Sequence, residues 1–83
     1  MFVMRIGEIF VAEIKITTDV AGRVCAIAAS AGASIGNGDD VVLVEAMKME
    51  IPVSAPAAGK IKSILVSIDD VVAEGQTIAI LET

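Results

Sequence analysis

Near the middle of the chain, Glu45-Ala46-Met47-Lys48-Met49-Glu50 places one lysine between two methionines, with a glutamate at each end of the hexapeptide. The amine of Lys48 is the group here that can do covalent chemistry. In its neutral form a lysine attacks an activated carboxyl carbon and ends as an amide. An exposed lysine is almost wholly ammonium at pH 7, so a modifying enzyme must supply the base. An apolar run, Val41-Val42-Leu43-Val44, leads into the hexapeptide, and Ile51, Val53 and Ala55 alternate after it. Both flanks read as strands. The spacing therefore predicts that Lys48 stands at the tip of a hairpin, where another protein can reach it.

Other chemistries are poorly served. With no histidine and a single cysteine, Cys25, neither a Ser-His nor a Cys-His nucleophile can be assembled, and no zinc or haem set of the usual kinds exists. No catalytic residue and no metal ligand is assigned. Cys25 reads as a small buried strand residue. Asp39-Asp40 and Asp69-Asp70 carry calcium-type ligands. They do not coincide under the internal repeat described below and are read as turn and solvated residues.

The elements that must position the lysine are strands. Eighty-three residues make one domain, and a chain this short buries only about 60% of its unfolded surface. Apolar residues make up 55% of it but aromatics 2%, so the core must be built from Val, Ile, Leu and Ala. The formal charge is −5 with no basic stripe, which argues against nucleic acid. The longest uncharged run, Val24 to Gly38, is fifteen residues and contains Gly32, Ser34, Gly36 and Asn37. It is too short and polar to insert in a membrane. The N-terminus lacks the pattern of a secretory signal, and a cytoplasmic protein is expected.

A gapless shift of 37 residues lays Ala21-Gly22-Arg23-Val24 on Ala58-Gly59-Lys60-Ile61, and Val41 to Glu45 on Ile78 to Glu82. The chain reads as two copies of one unit, 18–45 and 55–82, with the hairpin 46–49 between them. Two such halves can cover each other's apolar faces about a pseudo-two-fold axis. In both copies the apolar spacing is a step of three and then two (Val24, Ile27, Ala29; Ile61, Ile64, Val66), which predicts a β-bulge or sharp bend in each half. Pro52 is expected at an edge or an unpaired position. Ahead of the repeat, Phe10, Ala12, Ile14 and Ile16 share one face of a strand. Residues 1–11 form an extension, read as an extra edge strand, a cover for one sheet, or a docking segment.

The hexapeptide and the repeat together resemble the biotinyl carrier domain, over roughly residues 16 to 82. The resemblance implies an all-β fold, a flattened barrel-sandwich hybrid of two four-stranded antiparallel sheets with a pseudo-two-fold repeat. It implies that Lys48 is biotinylated by a biotin protein ligase through biotinyl adenylate. Ala46, Met47 and Met49 would be the flanking recognition motif, and Glu45 and Glu50 possible contributors. It further implies a non-catalytic carrier that brings carboxyl from a biotin carboxylase, or a carboxylated donor, to a carboxyltransferase. The parent enzyme would be a biotin-dependent carboxylase, such as an acyl-CoA carboxylase, a decarboxylase or a transcarboxylase. The gapless repeat leaves no room for the protruding thumb of some such carriers, so the thumbless type is implied. With no Pro/Ala-rich tether in the sequence, a free-standing subunit is expected.

Departures from the family pattern fall at turns. Thr18-Asp19-Val20-Ala21-Gly22 stands where a proline-containing segment is usual, and Asp39 stands where the second copy has Gln76. A lipoyl carrier uses a homologous fold, but usually with Asp and Ala beside its lysine. An unmodified barrel-sandwich interaction module is the alternative from a different class.

Overall fold

The computed structural model describes the backbone of residues 2–6 and 9–83, and side chains from Ala12 onward. Among the described residues the regular elements are nine strands: β1 (Phe2–Ile6), β2 (Ile9–Thr17), β3 (Gly22–Ile27), β4 (Ser34–Ile35), β5 (Asp40–Ala46), β6 (Met49–Ser54), β7 (Gly59–Ile64), β8 (Val71–Val72) and β9 (Thr77–Glu82). The body is two four-stranded antiparallel sheets, β2-β9-β7-β4 and β6-β5-β3-β8, and β1 adds a fifth strand to the outer edge of the first. Pro52 lies in β6, an edge strand, as a residue without an N–H requires.

Residues 2–6 lie at the edge of the first sheet. β1 pairs with β2 from Phe2↔Glu13 to Ile6↔Ile9, whereas β2 meets β9 only from Glu13↔Glu82 onward. The first hairpin therefore runs past the end of its sheet. The side chains of residues 1–11, those of Phe2 and Phe10 among them, lie outside what the structure describes.

Both expected bulges are there, at equivalent places. Val24 pairs with Val44 but Ala26 with Leu43, leaving Cys25 as the extra residue. Ile61 pairs with Leu81 but Ser63 with Ile80, leaving Lys62. A second pair of bulges inserts Val41 in β5 and Ile78 in β9, again 37 residues apart. These insertions change which residues face inward. A regular strand would expose one of two neighbours; here Val41 and Val42 are both fully buried, as are Ile78 and Ala79. Together with Ile16, Val24, Val44, Ile61, Val72 and Leu81 they form one core between the sheets. Among the described residues Thr18 is the buried polar one, and its hydroxyl donates to the Val20 carbonyl at 2.8 Å, so it carries no unmet hydrogen bond.

Turn chemistry explains one departure noticed in the sequence, Asp39 standing where the second copy has Gln76. The Gly36 N–H donates to Asp39 Oδ2 at 2.8 Å, and the Ala73 N–H donates to Gln76 Oε1 at 3.0 Å. Aspartate and glutamine thus close the same turn by the same bond. Asp70 does likewise for the Ser67 N–H, at 2.8 Å.

Gly22 and Gly59 are required by close approach. A Cβ at Gly22 would lie 2.3 Å from the Glu45 carbonyl oxygen, and one at Gly59 would lie 2.3 Å from that of Glu82. Neither backbone oxygen can retreat without opening a sheet. Gly22→Ala and Gly59→Ala are each expected to lower the unfolding free energy by about 2–3 kcal/mol, the cost of overpacking, measured by urea denaturation of the otherwise unchanged chain. A loss below about 0.5 kcal/mol would show that the sheets relax around an added methyl.

Candidate functional site

The hairpin that carries Lys48 is short and tightly specified. β5 and β6 pair through Glu45↔Glu50 and Ala46↔Met49, leaving Met47 and Lys48 as a two-residue turn. Their φ values are +52° and +64°. Positive φ at both central positions is the signature of the type I′ turn, whose twist matches that of the flanking strands. Asparagine and glycine usually fill such positions. Methionine and lysine there are strained, and strain of this kind is held at functional sites by the structure around them.

That surrounding structure is the sandwich. Val44 is fully buried and Ala46 nearly so, so β5 is packed into the core up to the residue before the turn. The side chains past that point leave the body: Met47 is 94% and Met49 65% exposed, and Lys48 is exposed between them. Two apolar side chains and an amine are therefore held out in solvent on a fixed stem.

At the base of the hairpin, Glu45 and Glu50 face each other directly across the strands, an unfavourable like-charge pair. Both are exposed. Arg23 stands opposite Glu45 on the next strand, β3, with Nη2 3.3 Å from Glu45 Oε1. Its other terminal nitrogen donates to Asp69 Oδ1. Glu45 first, and then Asp69, hold the Arg23 guanidinium pKa above its already high ordinary value.

The comparisons with known proteins agree with this geometry. The family described as biotin-requiring enzyme matches residues 11–81. The biotinylated protein TB7.3 homolog of Mycobacterium leprae is 41% identical over 66 residues, covering 80% of this chain and 93% of that protein. The Kluyveromyces lactis urea carboxylase superimposes with a TM-score of 0.81 at 31% identity, over 84% of this chain and 6% of that one. A single-chain, multi-domain long-chain acyl-CoA carboxylase gives 0.76 at 32% identity, over 86% of this chain and 7% of that one. The chain belongs to this family. It is a biotin carrier domain, and biotin is the group it takes.

The structure brings all six residues of the predicted motif to one hairpin. It does not gather the acidic pairs: Asp39 closes a turn, Asp70 closes another, and among the described residues no three metal-ligating side chains converge. Two neighbours of the carrier's hairpin escaped the sequence reading. Arg23 carries no signal in the sequence that could have found it, because only the pairing of β3 with β5 sets it opposite Glu45.

Cys25 is the second, and its expected burial is corrected. As the extra residue of a bulge it is turned partly outward and is only half-buried. Its Sγ lies 3.4 Å from the Leu43 carbonyl oxygen and 3.5 Å from Glu50 Oε2. Partial loss of solvent pushes the thiol pKa up, and the Glu50 carboxylate, which disfavours a nearby thiolate, adds to this. The rate of iodoacetamide alkylation should therefore rise at higher pH than for an ordinary cysteine. Glu50→Gln should move that midpoint down; an unmoved midpoint would remove Glu50 from the account.

Proposed function

We propose that Lys48 is the residue through which this domain carries biotin, attached by a biotin protein ligase. The observation that carries the reading is the strained two-residue turn itself, which holds an exposed lysine at its second position. In the attachment step the neutral Nζ attacks the acyl carbon of biotinyl adenylate. The amide C–N bond forms, the acyl–phosphate C–O bond breaks, AMP leaves, and a base of the ligase takes the proton. The ammonium charge is lost, taking the formal net charge from −5 to −6.

The residues present suit that product. Ala46 keeps the stem in the core, and the exposed Met47 and Met49 offer flexible apolar contacts to whichever protein docks there. Glu45 and Glu50 give the base of the hairpin an acidic character for recognition. Bound biotin supplies the atom that takes up and releases carboxyl; the chain supplies position and exposure. The domain itself is read as non-catalytic, a reading that rests on the family and on the open setting of the hairpin.

The partners are then the biotin carboxylase and carboxyltransferase of a biotin-dependent enzyme, subunits or domains that the carrier visits in turn. Tethering sets the effective concentration of the cofactor at each. Relatives with carboxylase names contain this domain as a small part of a long chain, which supports that assignment.

The test is the intact mass of the chain after co-expression with a biotin ligase and, separately, with a lipoyl ligase, followed by peptide mapping. One biotinoyl group on Lys48, absent from Lys48→Arg, is the expected result. A lipoyl group would reassign the carrier to lipoyl chemistry, and an unmodified chain under both ligases would leave an interaction module.

A further inference from the structure

We propose that Arg23 is a positioning residue for the Lys48 hairpin, acting through Glu45 and anchored by Asp69. This rests on the reading of Lys48 as the attachment residue. The internal repeat supplies the comparison that argues for it. A shift of 37 residues carries Arg23 to Lys60, Glu45 to Glu82, Glu50 to Glu13, Cys25 to Lys62, and Gly32 to Asp69. The backbone of the two halves is the same at these places. Lys60 stands opposite Glu82 as Arg23 stands opposite Glu45. The Gly32 N–H donates to the Ile61 carbonyl at 2.7 Å, as the Asp69 N–H does to that of Val24 at 2.8 Å.

The side chains differ in one direction. Position 32 is glycine at φ +88°, which costs a glycine little; position 69 is aspartate at φ +78°, which is strained. The fold therefore does not need a side chain there, and the one present is bonded to Arg23. Arginine offers a fork that can engage two carboxylates at once, which a lysine ammonium matches poorly. Among the described residues Lys60 makes no ion pair, and the other half relieves its Glu13–Glu82 pair from the opposite strand, through Lys62 and Glu13. Among the described residues the Glu45–Glu50 pair is relieved at Glu45, on the strand that leads into the lysine, whereas the Glu13–Glu82 pair is relieved at Glu13 and not at Glu82, the counterpart of Glu45. Glu45, three residues before Lys48, is thereby held from β3 by an arginine that Asp69, in the turn before β8, anchors.

The experiment uses the whole chain with purified biotin ligase, biotin and ATP. Arg23→Met is expected to raise the KM for the carrier about threefold with kcat unchanged, the scale on which exposed ion pairs shift equilibria. Arg23→Lys should restore part of the loss, and Arg23→Met added to Glu45→Gln should cost nothing further. Asp69→Gly separates positioning from stability: its KM should rise while its melting temperature holds or rises, because glycine relieves the left-handed φ. Hydrogen exchange at the backbone amides of residues 46–50 in the unmodified chain should quicken about threefold in Arg23→Met and Asp69→Gly. Wild-type KM in Arg23→Met, or KM changes that only follow melting temperature, would overturn the proposal. If the wild-type chain is not biotinylated at Lys48, the attachment reading fails; hydrogen exchange still decides whether Arg23 holds the hairpin, and unchanged exchange overturns that too.

Discussion

An apolar strand face must be covered, and in this chain neither half has enough side-chain bulk to cover itself. The described core is built from Val, Ile, Leu and Ala, with no aromatic to fill a wide gap. Small side chains force the two sheets close together, and close sheets leave no tolerance for a badly aimed residue. The four bulges answer that constraint. By inserting Val41 and Ile78 they let two consecutive residues of β5 and of β9 face inward, and by inserting Cys25 and Lys62 they reset the facing of β3 and β7. Burial at about 25 cal/mol per Å² of apolar surface then stabilises a body that flat, regular strands could not close.

The hairpin is a consequence of the same packing. β5 is held in the core through Val44 and Ala46, so its direction is settled before the chain reaches Met47. A two-residue turn between strands so fixed has little choice of backbone, and methionine and lysine are carried into the left-handed region by the registers on either side. The packed body thus leaves the tip, Lys48 included, exposed to solvent.

The repeat makes the molecule its own control. Equivalent backbone recurs at Gly22 and Gly59, at Asp39 and Gln76, and at all four bulges, so differences between the halves stand out against a common frame. The first half has an arginine and a cysteine where the second has two lysines, and the second half contributes a left-handed aspartate, bonded to that arginine, where the first has a glycine. β1, outside both halves, lengthens one sheet and leaves an edge that a second strand can meet.

The sequence alone determined the β class, the two-fold repeat, the bulges and the hairpin with Lys48 at its tip. These are local or periodic facts: alternation along a strand, a broken spacing repeated 37 residues later, and a hexapeptide between two apolar runs. Tertiary structure decided what depends on register between distant segments. Cys25 looked buried because its neighbours are apolar, and only pairing with β5 reveals it as the extra residue of a bulge that turns outward. Arg23 and Asp69 are 46 residues apart, and their meeting at Glu45 requires β3, β5 and the turn before β8 to be set side by side. Periodicity along one strand carries no information about which charge stands opposite on the next, and that opposition is what builds the base of the site.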